Sequence, residues 1–278
     1  MRWLIEPLHY SFMQTALVAA VLVGLTCAVT GAFVVLRRMA FVGDAVAHAV
    51  LPGLVLAYAN GWSLAAGALG AGLATAFGIG WASRRDGVRE DSAIGIIYTG
   101  MFALGVVMMN RAQMYRHLTH LLFGDILGVS PSDLVTLAVV SALVCGAAWL
   151  TWKELELTSF DPRHAQVMGL RPDRMRHLLL ALVALTIVTG IQAVGVVLTS
   201  ALLITPAATA VLVTKRLGRL VVVAAIISIG SSVAGLYGSY YWRVSSGAAI
   251  VLCCTGCFVV TWLVTAWRRR AARKVRAF

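Results

Sequence analysis

"LLLALVALTIVTGIQAVGVVLTSALLITPAATAVLV", residues 178 to 213, is 36 residues without one charged side chain. A helix needs about 20 apolar residues to cross roughly 30 Å of hydrocarbon. The stretch is too long for one crossing and short for two. It holds either two brief spans, near 177–195 and 198–213, or one long helix followed by a re-entrant piece. The choice decides on which side of the membrane everything downstream lies. Pro206, within it, predicts a kinked or broken helix, because proline removes a backbone hydrogen bond and clashes with the preceding turn.

The rest of the chain is of the same kind. Its 278 residues are 60% hydrophobic and 12% charged, with a mean hydropathy of +0.87, whereas soluble domains run at about 25% charged. The apolar residues form long blocks rather than the alternation of a membrane barrel, so the spans are helices. Breaks in hydrophobicity predict further spans near 11–36, 42–59, 62–82, 92–109, 131–152, 219–239 and 246–267. With two crossings in the opening stretch the total is nine; with one it is eight. Lysine and arginine choose between these. A nine-span chain with its C-terminus inside places 19 of its 23 Lys and Arg in or beside the cytoplasmic segments 37–41, 83–91, 153–176, 214–218 and 268–278. Only Arg2, Arg111, Arg116 and Arg243 fall outside. That asymmetry is the positive-inside pattern, and an even count would break it for part of the chain.

The sequence thus predicts an all-α integral membrane protein, a bundle of nine helices in one domain over 1–278, with the N-terminus outside. The net charge of +12 belongs to this orientation rather than to nucleic acid. The tail "RRRAARKVRAF" is expected to hold anionic lipid headgroups at the inner face. The five cysteines all fall within spans and read as small hydrophobes, with no disulfide framework. No cofactor is expected to be bound permanently. There is no G-x-x-x-x-G-K-[ST] motif, so the chain is not expected to be an enzyme and any ATP must be hydrolysed by a partner.

Against this apolar background "RRMAFVGDAVAHAVLPG", 37 to 53, is anomalous. If the second span begins just after Arg38, Asp44 lies roughly 9 Å in and His48 about 15 Å in, near the midplane of a ~30 Å core. Residues four apart share a helix face, so both side chains address one volume. A carboxylate there costs about 2.5–3.5 kcal/mol on insertion scales and will not face lipid. Asp44 and His48 form either a packing pair, the carboxylate accepting from the imidazole, or half of a metal site. Gly43, Ala45, Ala47, Ala49 and Gly53 would let helices close in around them. Carboxylate with imidazole suits Mn, Fe or Zn, and not copper(I), calcium or magnesium. One helix offers only two ligands; a two-fold partner would complete four.

Two other polar stretches stand out. Within 153–177, "SFDPRHAQVMGLRPDRM" has the signals of a short helix: Asp161 as cap, Pro162 at the first position, Gly169 as stop and Pro172 beyond it. Ala165, Val167, Met168 and Leu170 give it some apolar surface. Spacing alone allows a plain surface helix or one that docks on a soluble motor. "YRHLTHLLFGD" carries His117, His120 and Asp125 on the outer side, as interfacial anchors or as a metal admission site. His164 and His177 are expected to be solvated.

The stretches "FDPRHAQVMGL", "GIQAVGVVLTSALLITPAATAVLVTKRLG", "LRRMAFVGDAVAHAVLPGLVLAY", "EDSAIGIIYTGMFALGVV", "HLLFGDILGVSPSDL" and "SGAAIVL" resemble, in order and over about residues 10–265, the permeases of metal-specific ABC importers. These are the zinc, manganese and iron uptake systems of the ABC-3 family. The resemblance implies a type II importer permease fold in a bacterial inner membrane. It also implies a permease dimer (two like or unlike chains), two cytoplasmic ATPase subunits and an extracytoplasmic metal-binding protein. The family's coupling helix maps onto roughly Ser159 to Leu170, which marks Phe160, Asp161, Pro162, Ala165 and Gly169 for ATPase coupling. Asp44 and His48 match residues taken to contact the passing metal. In look the chain is nearer the manganese/iron branch, so manganese is expected first, then iron or zinc. Three rivals fit less well. An ion-coupled secondary transporter should show an inverted repeat, and a siderophore or cobalamin permease has less use for paired metal ligands. An intramembrane enzyme would need a motif such as H-E-x-x-H or G-x-S-x-G, which is absent.

Overall fold

A computed structural model describes residues 6–83, 89–112 and 126–275, and among them every regular element is helical. We number the helices α1 (Ser11–Leu36), α2 (Val42–Ala49), α3 (Leu51–Ala59), α4 (Leu64–Ala82), α5 (Glu90–Ala112), α6 (Pro131–Leu150), α7 (Trp152–Phe160), α8 (Pro162–Val167), α9 (Pro172–Val194), α10 (Val196–Val213), α11 (Leu217–Trp242) and α12 (Ser246–Val275). Nine spans among the described residues are long and apolar enough to cross a membrane, α2 and α3 forming one of them as Val42–Ala59. The count and approximate bounds agree with those expected from hydropathy and charge.

The 36-residue apolar stretch contains two helices, and the division falls at Gly195. Its φ of 89° and ψ of 166° lie in a region open essentially to glycine alone. A Cβ on Gly190, five residues before the break, would press against the side chain of Thr199, four residues after it. In a straight helix those positions would stand roughly 13 Å apart, so the chain folds back on itself there. Of the kinked or broken helix expected at Pro206 the break is not seen: α10 continues through that proline. Glycine's conformational freedom, not proline's missing donor, sets the division.

Helices α1 and α9 form the heart of the bundle. In α9, 72% of the most apolar window is buried, against 17% in α5 and in α12. α1 touches α6, α9, α10 and α11, and its last turns bury Phe33 edge-on to Trp152 at 5.5 Å. The outer helices expose large apolar side chains such as Ile96, Val139, Leu252 and Trp262, as a lipid-facing surface requires.

One close approach fixes the metal-candidate span. A Cβ on Gly53 would collide with the carbonyl oxygen of Gly67, and one on Gly67 with that of Gly53, so α3 and α4 cross backbone to backbone. Helix α9 begins at Pro172, earlier than the hydropathy boundary near 177. His177 therefore sits in the first turns of α9, half-buried rather than fully solvated. Its Nδ1 lies 2.6 Å from the Asp173 carbonyl oxygen and its ring packs beside Phe77 at 5.7 Å, over the bare Cα of Gly80.

Candidate functional site

Helix α2 is buried almost all round. From Val42 to Val50 every residue is enclosed within the chain except Asp44, which is exposed, and His48, which is half-buried. The one-turn spacing puts both on the same open face. Among the described residues neither makes a hydrogen bond or ion pair, so the packing pair with His48 donating to Asp44 is not formed. The His48 ring lies 6.2 Å from Tyr98 and 6.0 Å, edge-on, from Phe102, both on α5.

Two cavities meet at these side chains. The first, about 560 Å³, is walled by Asp44 and His48 on one side and by Val197, Ser200, Ala201, Ile204 and Thr205 of α10 on the other. Val197, Ala201, Ile204, Thr205 and Ala208 form a stripe at helical spacing that, among the described residues, is left partly uncovered. The second cavity, about 460 Å³, runs from the same Asp44 and His48 along α5, past Tyr98 and Thr99 to Asp91. Among the described residues no three His, Cys, Asp or Glu side chains gather within reach of one ion, so there the acid–imidazole pair has no third ligand beside it. His117, His120 and Asp125 lie outside the described residues.

Segments expected on one side of the membrane come together at one end of the bundle. Arg37 and Arg38 after α1, Glu90 at the start of α5, Thr158 and Ser159 at the end of α7, and Arg176 in α9 surround a cavity of about 210 Å³. Arg176 Nε is 2.9 Å from Glu90 Oε1, an ion pair whose N–H is not aligned for a hydrogen bond, and its Nη1 donates to the Ser83 carbonyl at 3.3 Å. Burial of the Arg37 guanidinium lowers its pKa from the ordinary arginine value, opposed by Glu90 and reinforced by Arg176. This cluster was not found from sequence. Arginines at span ends carry an orientation signal that hides any second role.

The short helix α8 begins as its sequence signals require. Asp161 accepts from the His164 N–H at 2.9 Å, Pro162 opens the helix, and Gly169 follows it at φ 83°. The apolar surface differs from expectation. Ala165 is fully buried against the bundle, while Phe160, Val167 and Met168 are 57%, 85% and 66% exposed. Ser159 and Phe160 belong to the end of α7 rather than to this helix. Ala165 therefore seats α8 and leaves Val167 and Met168, with Phe160 from the end of α7, as an outward apolar face.

These features define a multi-span helical membrane protein with a polar pair opening into cavities between its helices. The chain belongs to the ABC 3 transport family, whose model matches residues 9–265. It is 44% identical over 258 residues to the "Probable iron transport system membrane protein" of Haemophilus influenzae, covering 93% of this chain and 95% of that one. It is 42% identical over 281 residues to the manganese transport system membrane protein MntC of Halalkalibacterium halodurans, covering 98% and 96%. Among solved structures it is similar to a chain of PsaBC from Streptococcus pneumoniae in complex with Fab, with a TM-score of 0.82, 36% identity, and coverage of 93% and 94%.

Proposed function

We propose that this chain is the membrane-spanning permease subunit of an ATP-driven importer of divalent transition metal ions, manganese or iron ahead of zinc. The observation that carries this is the state of α2: the two side chains it does not enclose, neither with a hydrogen bond or ion pair among the described residues, are an acid and an imidazole, and both open into the cavity beneath the α10 stripe. A second permease chain across that stripe would bring a second Asp44 and His48. Two carboxylates and two neutral imidazoles make a four-ligand set that suits first-row dications. Two negative charges lower the barrier for a dication without trapping it as four would. The relatives named for manganese and iron transport support the metal class.

The whole chain acts as one permease domain, with 153–177 as its cytoplasmic segment. There Phe160, Val167 and Met168 offer an apolar face to an ATPase subunit, one on each permease chain. Sequence charge supports that end facing inward and the N-terminus outward, and the bacterial transport-system relatives support a place in the bacterial inner membrane. An extracytoplasmic metal-binding protein would deliver the ion at the opposite end, where His117, His120 and Asp125 are candidates to receive it. The chain itself carries no catalytic residue, and the metal is cargo. Reconstitution of the permease with its ATPase in liposomes tests this: Mn²⁺ or Fe²⁺ uptake driven by ATP is expected, and its absence for every first-row dication overturns the reading.

A further inference from the structure

The cavity among Arg37, Arg38, Glu90 and Arg176 contains a direct connection between the metal-candidate helix and the cytoplasmic segment. Arg37 Nε donates to Ser159 Oγ and Arg37 Nη2 donates to Thr158 Oγ1, each at 3.0 Å across more than 120 residues of sequence. Both acceptors are themselves fixed. The Thr158 hydroxyl donates to the Glu154 carbonyl at 2.7 Å, and that of Ser159 donates to Leu155. Two residues beyond Ser159, Asp161 caps α8.

On its other side Arg37 is joined to α2 by a turn with no slack. Arg38 sits at φ 60°, where an L side chain is strained and glycine is usual. The turn is closed by Arg38 N–H to Val35 carbonyl, Met39 N–H to Val34 carbonyl and Val42 N–H to Met39 carbonyl, all at 3.0 Å. Asp44 follows two residues after Val42. Thr158 and Ser159 are thus linked to the start of the Asp44/His48 helix through Arg37 and hydrogen-bonded backbone.

The chemistry of the contact favours positioning over charge neutralisation. The nearby carboxylate of Glu90 is held by Arg176 at 2.9 Å, so Arg37 spends its planar fork on two neutral hydroxyls. A guanidinium fork fixes both position and orientation, which a lysine ammonium on a flexible stem does not.

We propose that Arg37 is a positioning residue that couples movement of the α7–α8 segment to the Asp44/His48 helix. The inference rests on the permease reading. Its test is the number of Mn²⁺ ions imported per ATP hydrolysed in liposomes holding the permease with its ATPase, alongside Mn²⁺ affinity without ATP. Arg37→Ala is expected to lower the transport ratio about tenfold, the scale of a hydrogen bond to a charged group, with affinity unchanged within about twofold. Thr158→Val with Ser159→Ala, which leaves the arginine in place, should reproduce the defect. Combining all three changes should add nothing further. Arg37→Lys should restore little. An unchanged ratio in Arg37→Ala overturns the proposal. So does additive loss in the combined variant, or loss of Mn²⁺ affinity in step with transport, because either marks a merely structural role. If Asp44→Ala retains full uptake, the permease reading itself fails, whatever Arg37 does.

Discussion

A carboxylate and an imidazole on one helix face do not by themselves make a metal path. A membrane protein can bury such a pair as an internal hydrogen bond, and the hydroxyls of Thr26 and Ser141 do that at 2.9 Å. Asp44 and His48 do not: they open into the cavities while their neighbours on α2 are enclosed. Leaving a carboxylate unpaired at membrane depth has a cost that a partner or a passing cation would offset. On the proposed reading, Asp44→Ala and His48→Ala each remove two ligands from a two-fold site. Metal affinity, measured by Mn²⁺ titration of the purified permease, should fall at least about 100-fold, since even groups behind a ligand are worth 10–100-fold. Melting temperature should move little, because Asp44 is exposed and His48 is only half-buried. A variant that melts much earlier yet binds Mn²⁺ normally would assign the pair to folding instead.

At the scale of elements, the places where the sequence was legible are those where one residue type has one local consequence. Asp161, Pro162 and Gly169 begin and end α8 as expected. The boundary between α9 and α10 falls close to the one expected from the two short spans, at Gly195, whose conformation other residues avoid, whereas the helix break expected at Pro206 is not seen, because a helix tolerates proline when its neighbours supply the packing. That difference is measurable. Gly195→Ala should destabilise the protein by about 1–3 kcal/mol, seen as a lowered melting temperature in detergent, while Pro206→Ala should be near neutral or stabilising. The outward face of α8 was also only half legible. Spacing marks Ala165, Val167 and Met168 as apolar, but which of them faces the bundle depends on α7 and α9, far apart in the one-dimensional pattern. Val167→Asp with Met168→Asp should abolish co-purification of the ATPase and leave Mn²⁺ binding intact. Ala165→Asp should instead cost stability, since it buries an unpaired charge.

For the whole molecule, hydropathy and arginine bias carried the nine-span count because both are sums over many residues, and a local misreading does not alter them. A partner chain leaves no such sum. The α10 stripe of Val197, Ala201, Ile204, Thr205 and Ala208 looks in sequence like any apolar helix face, and only the fold shows it uncovered beside Asp44. Two quantities follow if a second copy covers it. Bound Mn²⁺ should be one ion per two chains, measured by elemental analysis of the dialysed permease; a ratio of one per chain would exclude a shared site. Cysteine introduced at Ala201 or Thr205, with the five native cysteines of the chain replaced, should form an intermolecular disulfide under mild oxidation. Cysteine at Val139 or Leu252, on the lipid-facing helices α6 and α12, should not. Saturating Mn²⁺ should speed the cross-link at Ala201, because an ion held by both chains draws the two stripes together. Equal cross-linking at all four positions would mean random collision, and a monomer would then have to carry its cargo past only one Asp44 and one His48.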